Sequence, residues 1–489
     1  MNARDRTLRH AVHCAVAAAF TLGGCAVGPN YTRPTVQTPP AYKESGAPAV
    51  DSRISAQWWQ AFDDLTLNDL VQRATQANQT IIAAEAAVSS ARALVRVNRA
   101  AYFPTVSVSL EHSSGSSRGG GNDGSISNTS GISNTGSISS SGFQGGVGQT
   151  RGYSLSAEAA WEPDVWGSVR RSVENSSALA SASEADLAGA RLTVQADVVT
   201  DYFLLRSLDI QLRIVGDTVA AYERAYTITQ NRYAAGTVAR SDVFQAQTQL
   251  ANAKADLESL QQQRAQTEHA IAVLVGEPAA QFALQAASDP LPPIPEIGVG
   301  VPSALLQRRP DIAGAERRVA AANAGIGVQI ATYFPAVTLD GTYRYAATAA
   351  SALFDPGAGA GVLVASIADT VFDGGARRAR VAQARADWQQ AQAQYRQTVL
   401  AAFQDVEDQI VAVRSLTRQT EQLRQASQAA DAAERISLNQ YRAGQISFTD
   451  VVVTQTTALT ARRSLVTAEE NRIAALVSLV RALGGGWKQ

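Results

Sequence analysis

Apolar residues recur every seven positions at Val452, Leu459, Val466, Ile473 and Val480. The same spacing runs through Val243, Leu250, Leu257 and Ile271, with Arg264 standing where an apolar residue would complete the series. A strict seven-residue repeat lays one apolar stripe along a helix and favours side-by-side supercoiled packing. From Ala376 to Tyr441 the chain runs 66 residues without glycine or proline, the residues that most strongly break helices. As one helix this stretch would be roughly 100 Å long. No proline falls between Pro163 and Pro278 or after Pro356, so both halves of the chain hold proline-free rods.

Elsewhere the period is two. Val106, Val108 and Leu110 alternate with Ser107 and Ser109, and Val337, Leu339 and Gly341 alternate with Thr338, Asp340 and Thr342. Tyr153, Leu155, Ala157, Ala159 and Trp161 take one face of a return strand, and Leu363, Ala365 and Ile367 one face of its counterpart. Alternation over about ten residues is what a membrane barrel strand needs, apolar toward lipid and polar toward the lumen. A soluble antiparallel sheet alternates in the same way, so the strands alone leave both open.

The plan is written twice. Ala101-Tyr102-Phe103-Pro104-Thr105-Val106 returns as Thr332-Tyr333-Phe334-Pro335-Ala336-Val337, and Asn231-Arg232-Tyr233-Ala234-Ala235-Gly236 as Asn439-Gln440-Tyr441-Arg442-Ala443-Gly444. Asp242 matches Asp450, Arg264 matches Arg472, Gly276 matches Gly484, and Trp166 matches Phe372. Each half reads as a medium helix, two strands, a very long helix, a glycine turn and a helix of about 35 residues. The first half is longer by about 25 residues that coincide with the Ser/Gly-rich run 113–149, expected as a surface loop at the outer mouth, with a short repeat-bearing β element as the alternative. The predicted organisation is a signal peptide (1–24), an N-terminal segment (25–65), repeat 1 (66–287), a proline-rich linker (288–301), repeat 2 (302–483) and a tail (484–489). Two hairpins give four strands, too few to close a barrel, since membrane barrels start at eight. Two chains would reach eight with a filled interior; three reach twelve, wide enough for a passage. The predicted fold class is therefore an α+β membrane protein with a two-fold internal sequence repeat, trimeric if the barrel conducts.

With 489 residues, 45% of them hydrophobic, the chain can bury a core, and its net charge of −1 without a basic block excludes an electrostatic nucleic-acid footprint. Past the first 25 residues no apolar run approaches the roughly 20 needed for a spanning helix, so any crossing is by β-barrel. Arg4, Arg6 and Arg9 precede an apolar run from Ala11 to Leu22, as in a secretion signal. Leu22-Gly23-Gly24-Cys25 resembles a bacterial lipobox, which implies that Cys25 becomes the first residue and carries S-diacylglycerol and an N-acyl chain. Ala26 lacks the aspartate associated with inner-membrane retention. A plain signal peptide with an incidental cysteine is the alternative. Several acyl chains on one residue give stable anchoring. Cys14 would leave with the signal, so no intrachain disulfide is expected.

From Cys25 to the C-terminus the chain resembles the TolC-like outer-membrane factors, in particular the lipoprotein branch serving tripartite efflux pumps. The resemblance is carried by Cys25-Ala26-Val27-Gly28-Pro29-Asn30-Tyr31-Thr32-Arg33-Pro34 and by Val301-Pro302-Ser303-Ala304-Leu305-Leu306-Gln307-Arg308-Arg309-Pro310-Asp311-Ile312. Ala315-Glu316 with Phe334-Pro335, and Ala482-Leu483-Gly484-Gly485-Gly486-Trp487, complete it in family order. It implies a homotrimeric tunnel: a 12-stranded outer-membrane β-barrel, four strands per chain, continuous with a long periplasmic α-helical barrel. It also implies two partners, a periplasmic adaptor protein and an inner-membrane transporter, commonly of the resistance-nodulation-division type, which supplies the energy. The chain would be a passive exit duct for small molecules such as drugs, in the outer membrane and reaching into the periplasm.

Asp242 and Asp450 begin the shorter helix of each half. In a trimer they would place acidic rings near the periplasmic aperture, narrowing it and favouring cations; an acid in a first helical turn is also stabilised by the dipole alone. The gate reading is favoured because similar family members carry aspartates here, with Thr449 beside Asp450. Where some relatives have a further acid this chain has Val453, expected as an apolar constriction. The tips Tyr233, Ala235, Gly236 and Tyr441, Arg442, Ala443, Gly444 end helices and are expected to dock the adaptor, because bare glycine backbone admits a partner closely. No enzyme, metal or other cofactor is expected: of the four histidines only His112 and His269 lie beyond the signal, without ligand partners at useful spacing. Two alternatives remain, the outer channel of a type I protein-secretion system and a structural periplasmic coiled-coil lipoprotein, the latter leaving the strands unexplained.

Overall fold

The structure, a computed structural model, describes residues 26–44, 55–116, 149–287, 289–293, 295 and 302–487. The signal, Cys25, residues 117–148 of the Ser/Gly run and much of the 288–301 linker lie outside them. In chain order the main elements are α1 (Leu65–Ala77), α2 (Gln79–Ala100), β1 (Thr105–Ser116), β2 (Gln149–Trp161), α3 (Ser168–Ala234) and α4 (Arg240–Leu274). Then follow α5 (Pro302–Arg308), α6 (Pro310–Ala331), β3 (Ala336–Ala347), β4 (Gly359–Ala368), α7 (Ala376–Arg442) and α8 (Phe448–Ala482). The expected rods are helices of 67 residues each, α3 and α7. Two compact units are formed, one from the segment ending at Gly28 with Val97–Val173 and Gly327–Val381, the other from the remainder.

The first unit holds one antiparallel sheet in the order β1-β2-β3-β4. Directly paired residues share a face, and Val108 pairs with Ala157, Ala157 with Tyr343, and Tyr343 with Gly361. One face therefore carries Val106, Val108, Leu110, Leu155, Ala157, Leu339, Leu363 and Ile367, the other Ser107, Ser109, Ser156, Glu158, Thr338, Asp340, Arg344 and Ser366. On the polar face hydroxyls meet across strands, Ser109 with Ser156 at 2.7 Å and Thr338 with Ser366 at 2.6 Å. The apolar face is bare: Leu363 is 81% and Ile367 73% exposed. β4 departs from strict alternation by setting Val362 and Val364 on the otherwise polar face. β1 and β2 also run further than alternation indicated, to Ser116 and from Gln149, inside the stretch read as loop. Ladder bonds are made by backbone groups and need no apolar side chain.

At the foot of the sheet each rod is started by an acid and an arginine. Asp164 accepts from the backbone N–H of Val169 (2.9 Å) and Arg170 (3.0 Å) and from the Arg170 guanidinium (3.1 Å). Asp373 does the same for Gly375 (2.9 Å), Arg377 N–H (3.0 Å) and the Arg377 guanidinium (3.0 Å). These are the unpaired N–H groups of a helix start, satisfied by a carboxylate. The indole of Trp166 stacks on Phe334, centroids 4.8 Å apart and 20° between planes, and its N–H donates to the carbonyl of Pro335 at 2.7 Å.

The second unit is helical. Its largest core joins Trp58, Trp59, Leu70, Phe203, Ile271 and Val480. The C-terminal members of the seven-residue stripes, Ile271, Val466, Ile473 and Val480, are buried, whereas Val243, Leu250, Leu257, Val452 and Leu459 are half-buried, the buried series of α4 being Ala246, Ala253 and Leu260. Arg264 interrupts one stripe because it has another task. It donates to Asp209 (2.7 Å), Glu268 (3.2 Å) and the carbonyl of Leu284 (2.7 Å), pinning the segment that leaves α4. The medium helix expected in each half is two helices. Asn78 stands in an extended conformation between α1 and α2; its amide donates to the Leu274 carbonyl (2.9 Å) and its carbonyl accepts from Thr80 N–H (2.9 Å). Arg309 separates α5 from α6, being followed by Pro310, which disfavours helical backbone before it. Gly276 and Gly484 end α4 and α8 at φ +77° and +91°, and a side chain there would strike the Ala77 and Arg308 carbonyls respectively.

On α3, burial and then the carboxylate of Asp197 one turn earlier push the Asp201 carboxyl up to about 6; Arg481 faces Asp197. A carboxyl raised above its ordinary 3.8 stabilises the fold when protonated. That contribution is complete below about pH 4 and is lost as pH rises through about 6. Asp201→Asn is expected to stabilise the protein by about 1–2 kcal/mol at pH 7.5, with screening of this half-exposed group allowed for, and to change nothing below about pH 4. Thermal denaturation followed by helical circular dichroism at both pH values checks it; equal midpoints at pH 7.5 would refute the assignment.

Candidate functional site

Both hairpin tips of the helical unit close in the same way. In the first, Gly236 N–H donates to the Tyr233 carbonyl (2.9 Å) and Thr237 N–H to that of Arg232 (2.9 Å), with φ +71° at Gly236. In the second, Gly444 donates to Tyr441 (3.0 Å) and Gln445 to Gln440 (2.9 Å), with φ +72° at Gly444. A left-handed glycine there turns the chain while serving the last carbonyls of the helix. A Cβ added at either glycine meets nothing within 4 Å. Ala235, Arg442 and Ala443 are exposed beside them.

The two tip tyrosines, matched in sequence, are used differently. Tyr233 is exposed. Tyr441 lies 5.6 Å from the Phe448 ring and has the Arg232 guanidinium over it at 5.1 Å, so it joins α7 to α8 and to α3. Two substitutions separate them: the position of Phe448 is held in the first half by Arg240, whose guanidinium sits over Phe244, and the position of Arg232 is held in the second half by Gln440, which has no cation to offer Tyr233. Among the described residues no ring or guanidinium stacks on Tyr233.

At the start of α8 the Ser447 hydroxyl accepts from Asp450 N–H (3.3 Å) and donates to Asp450 Oδ2 (2.7 Å), while Ser447 N–H donates to the same oxygen (3.1 Å). This is a reciprocal cap. Asp450 therefore has a structural role whatever else it does, and it remains exposed. Val453, three residues on and so on the same helix face, is exposed as well. Asp242 stands in the first turn of α4 behind Ala239, which cannot cap, and is half-buried with Ser241 Oγ at 3.4 Å. Thr449 donates to Gln245 Oε1 (3.1 Å), tying the start of α8 to that of α4.

Two sets of ion pairs run up the hairpins. Lys254–Glu223 (2.8 Å) and Arg462–Asp431 (2.7 Å) occupy matching positions in the two halves and hold each hairpin together. Arg463–Asp256 (3.3 Å) has no match and crosses from α8 to α4. That crossing was not singled out from the residues, although its signal was present: Ala255 and Ser464 stand at the matching positions. It borders a groove of about 700 Å³ whose lining includes Gln249, Asn252, Thr456, Thr460 and Asn471, polar but mostly uncharged. Among the described residues no group of three or more His, Cys, Asp or Glu is placed to hold a metal ion, and no helix is long and apolar enough to cross a membrane.

The family profile described as outer membrane efflux protein matches residues 70–277 and 301–485. The chain is 31% identical over 483 residues to the pyoverdine export outer membrane protein OpmQ of Pseudomonas aeruginosa, covering 97% of this chain and 96% of that one. To the outer membrane protein OprJ of the same species it is 28% identical over 473 residues, covering 96% and 95%. The solved outer-membrane channel OprN is similar at TM-score 0.83 and 30% identity, over 95% of this chain and 100% of that one.

Proposed function

Since the chain belongs to the TolC-like outer membrane efflux protein family, we propose that it is the outer-membrane exit duct of a tripartite efflux system. The observation that carries this is the sheet: four strands with one continuous apolar face, a hydroxylated and charged opposite face, and both edges open. A soluble monomer rarely exposes so large a contiguous apolar surface, whereas lipid on one side and water on the other require it. Three such sheets close a 12-stranded barrel with a passage, and closure removes the edges. The chain is then a homotrimer, held also by lipid on Cys25, its helices forming a periplasmic conduit.

The glycine tips are the docking points for the periplasmic adaptor, and Asp242, Thr449, Asp450 and Val453 form the closed aperture just beyond them. Arg463–Asp256 and Thr449–Gln245 tie the two hairpins of one chain across that end. Opening the aperture means sliding one hairpin against the other, and these two contacts oppose it. The transporter, of resistance-nodulation-division type, supplies the energy and chooses the cargo, which here is a small molecule; the relative OpmQ serves pyoverdine export.

The test is deletion of the gene and complementation in its own host, with purified protein examined in parallel. The deletion strain is expected to become several-fold more sensitive to at least one small toxic compound. The protein should fractionate with the outer membrane as a heat-dissociable trimer that conducts in planar bilayers. A protein found only in the soluble periplasm, without conductance, would overturn the proposal.

A further inference from the structure

The foot of the sheet carries an aromatic contact that one chain can make only once. After β2 the pair Val165-Trp166 turns toward the next strand, and Trp166 stacks on Phe334, the aromatic just before β3. After β4 the matching pair is Val371-Phe372, and the aromatic before β1 that matches Phe334 is Phe103. Neither has a ring partner among the described residues. Phe372 is 87%, Val371 95% and Phe103 70% exposed, while Val165 and Trp166 are half-buried. The difference is not in the residue types but in the neighbour. β2 and β3 are adjacent, whereas β4 and β1 are the two edges of the sheet, about 14 Å apart at the usual strand spacing.

We propose that Phe372 stacks on Phe103 of a second copy, making an aromatic staple at the foot of each seam between subunits. This rests on the trimeric exit-duct function proposed above and adds the residues that fasten its seams. The chain supplies both halves of the contact at opposite edges, so one copy cannot satisfy itself, and a closed ring of copies leaves none of these rings bare. The inter-copy staple is the weaker of the two kinds. Trp166 adds a hydrogen bond to the Pro335 carbonyl at 2.7 Å; phenylalanine has no N–H to offer the corresponding carbonyl of Pro104. A stacked pair is worth a factor of roughly two to ten per contact in an association constant.

Two measurements on the full-length purified protein test this. Phe103→Cys with Phe372→Cys, oxidised in the membrane, is expected to give covalent dimers and trimers on denaturing gels, and neither single variant should. Trp166→Cys with Phe334→Cys, the intrachain equivalent, reports whether the stacking geometry permits a bridge. Bridging in this control but only monomers from the 103/372 pair would overturn the staple. Phe372→Trp, which removes nothing, is expected to slow heat dissociation of the trimer several-fold by adding the missing hydrogen bond, and Phe103→Ala, by removing the ring whose stacking aims the indole N–H at the Pro104 carbonyl, should cancel that gain. An unchanged rate, or a gain that survives Phe103→Ala, also overturns the staple. A wild-type protein that is monomeric in detergent and in membranes would instead defeat the exit-duct proposal itself.

Discussion

Replacing Gly236 and Gly444 together by leucine is expected to abolish efflux-dependent resistance, reducing the strain to the sensitivity of the deletion, while trimers stay in the outer membrane. Both glycines sit at left-handed φ, so each leucine costs about 1–2 kcal/mol of backbone strain. Among the described residues nothing beyond the chain neighbours lies within 4 Å of the added Cβ, so each side chain starts into open space. A protein with a core of this extent withstands that strain. What the substitutions do is fill the open space over the two tips, where the backbone is bare and a partner's helix end can approach. The single variants should show intermediate sensitivity, because each tip contributes its own contact. Minimum inhibitory concentrations beside a membrane-fraction blot decide the matter. Full resistance in the double variant would remove the tips from adaptor docking, and loss of the trimer band would show that their role is folding.

Neutralising Asp242 and Asp450 by asparagine is expected to raise closed-state conductance several-fold and to weaken cation preference. Asparagine is the substitution to use. Asp450 also receives Ser447 N–H and the Ser447 hydroxyl, and the side-chain carbonyl of asparagine still accepts those bonds, whereas alanine would lose a cap worth about 1 kcal/mol. Ser447→Ala is the complementary variant, since it breaks the cap and leaves the charge. If the acidic ring closes the aperture, conductance follows the charge and not the cap. Single-channel recordings in planar bilayers separate the two. Unchanged current and selectivity in the double asparagine variant, or an equal rise in Ser447→Ala, would leave Asp450 as a helix cap only.

The helices were legible because their causes are local. A run without glycine or proline is helical wherever it is placed, and Ala376–Arg442 spans almost the interval those breakers delimit. The strand faces were legible for the same reason, since alternation assigns every second residue to one side. The ends were less so. Asn78 divides helices that read as continuous, because it is held by the Leu274 carbonyl from another helix; the break at Arg309 had a local signal in Pro310, and the Arg309 guanidinium then meets the Ala482 carbonyl and Asp405. Tyr233 and Tyr441 had similar sequence contexts and acquired different surroundings, decided by Arg240 against Phe448 seven residues after each and by Arg232 against Gln440 just before them.

By itself the sequence determined the rods, the two-faced strands, the glycine turns and the doubled plan, all properties of φ/ψ preference and of period that a residue carries with it. Only the tertiary structure decided which matched positions are equivalent in use. Arg264 is answered by Asp209, while its counterpart Arg472 keeps a buried Nε without an acceptor among the described residues. Trp166 finds Phe334, while Phe372 and Phe103 are left at opposite edges of the sheet. A repeat in sequence makes equal units, but an open chain must end somewhere. The contacts that equality calls for at its two edges belong to spatial neighbours, and adjacency in space is not written in any local run of residues.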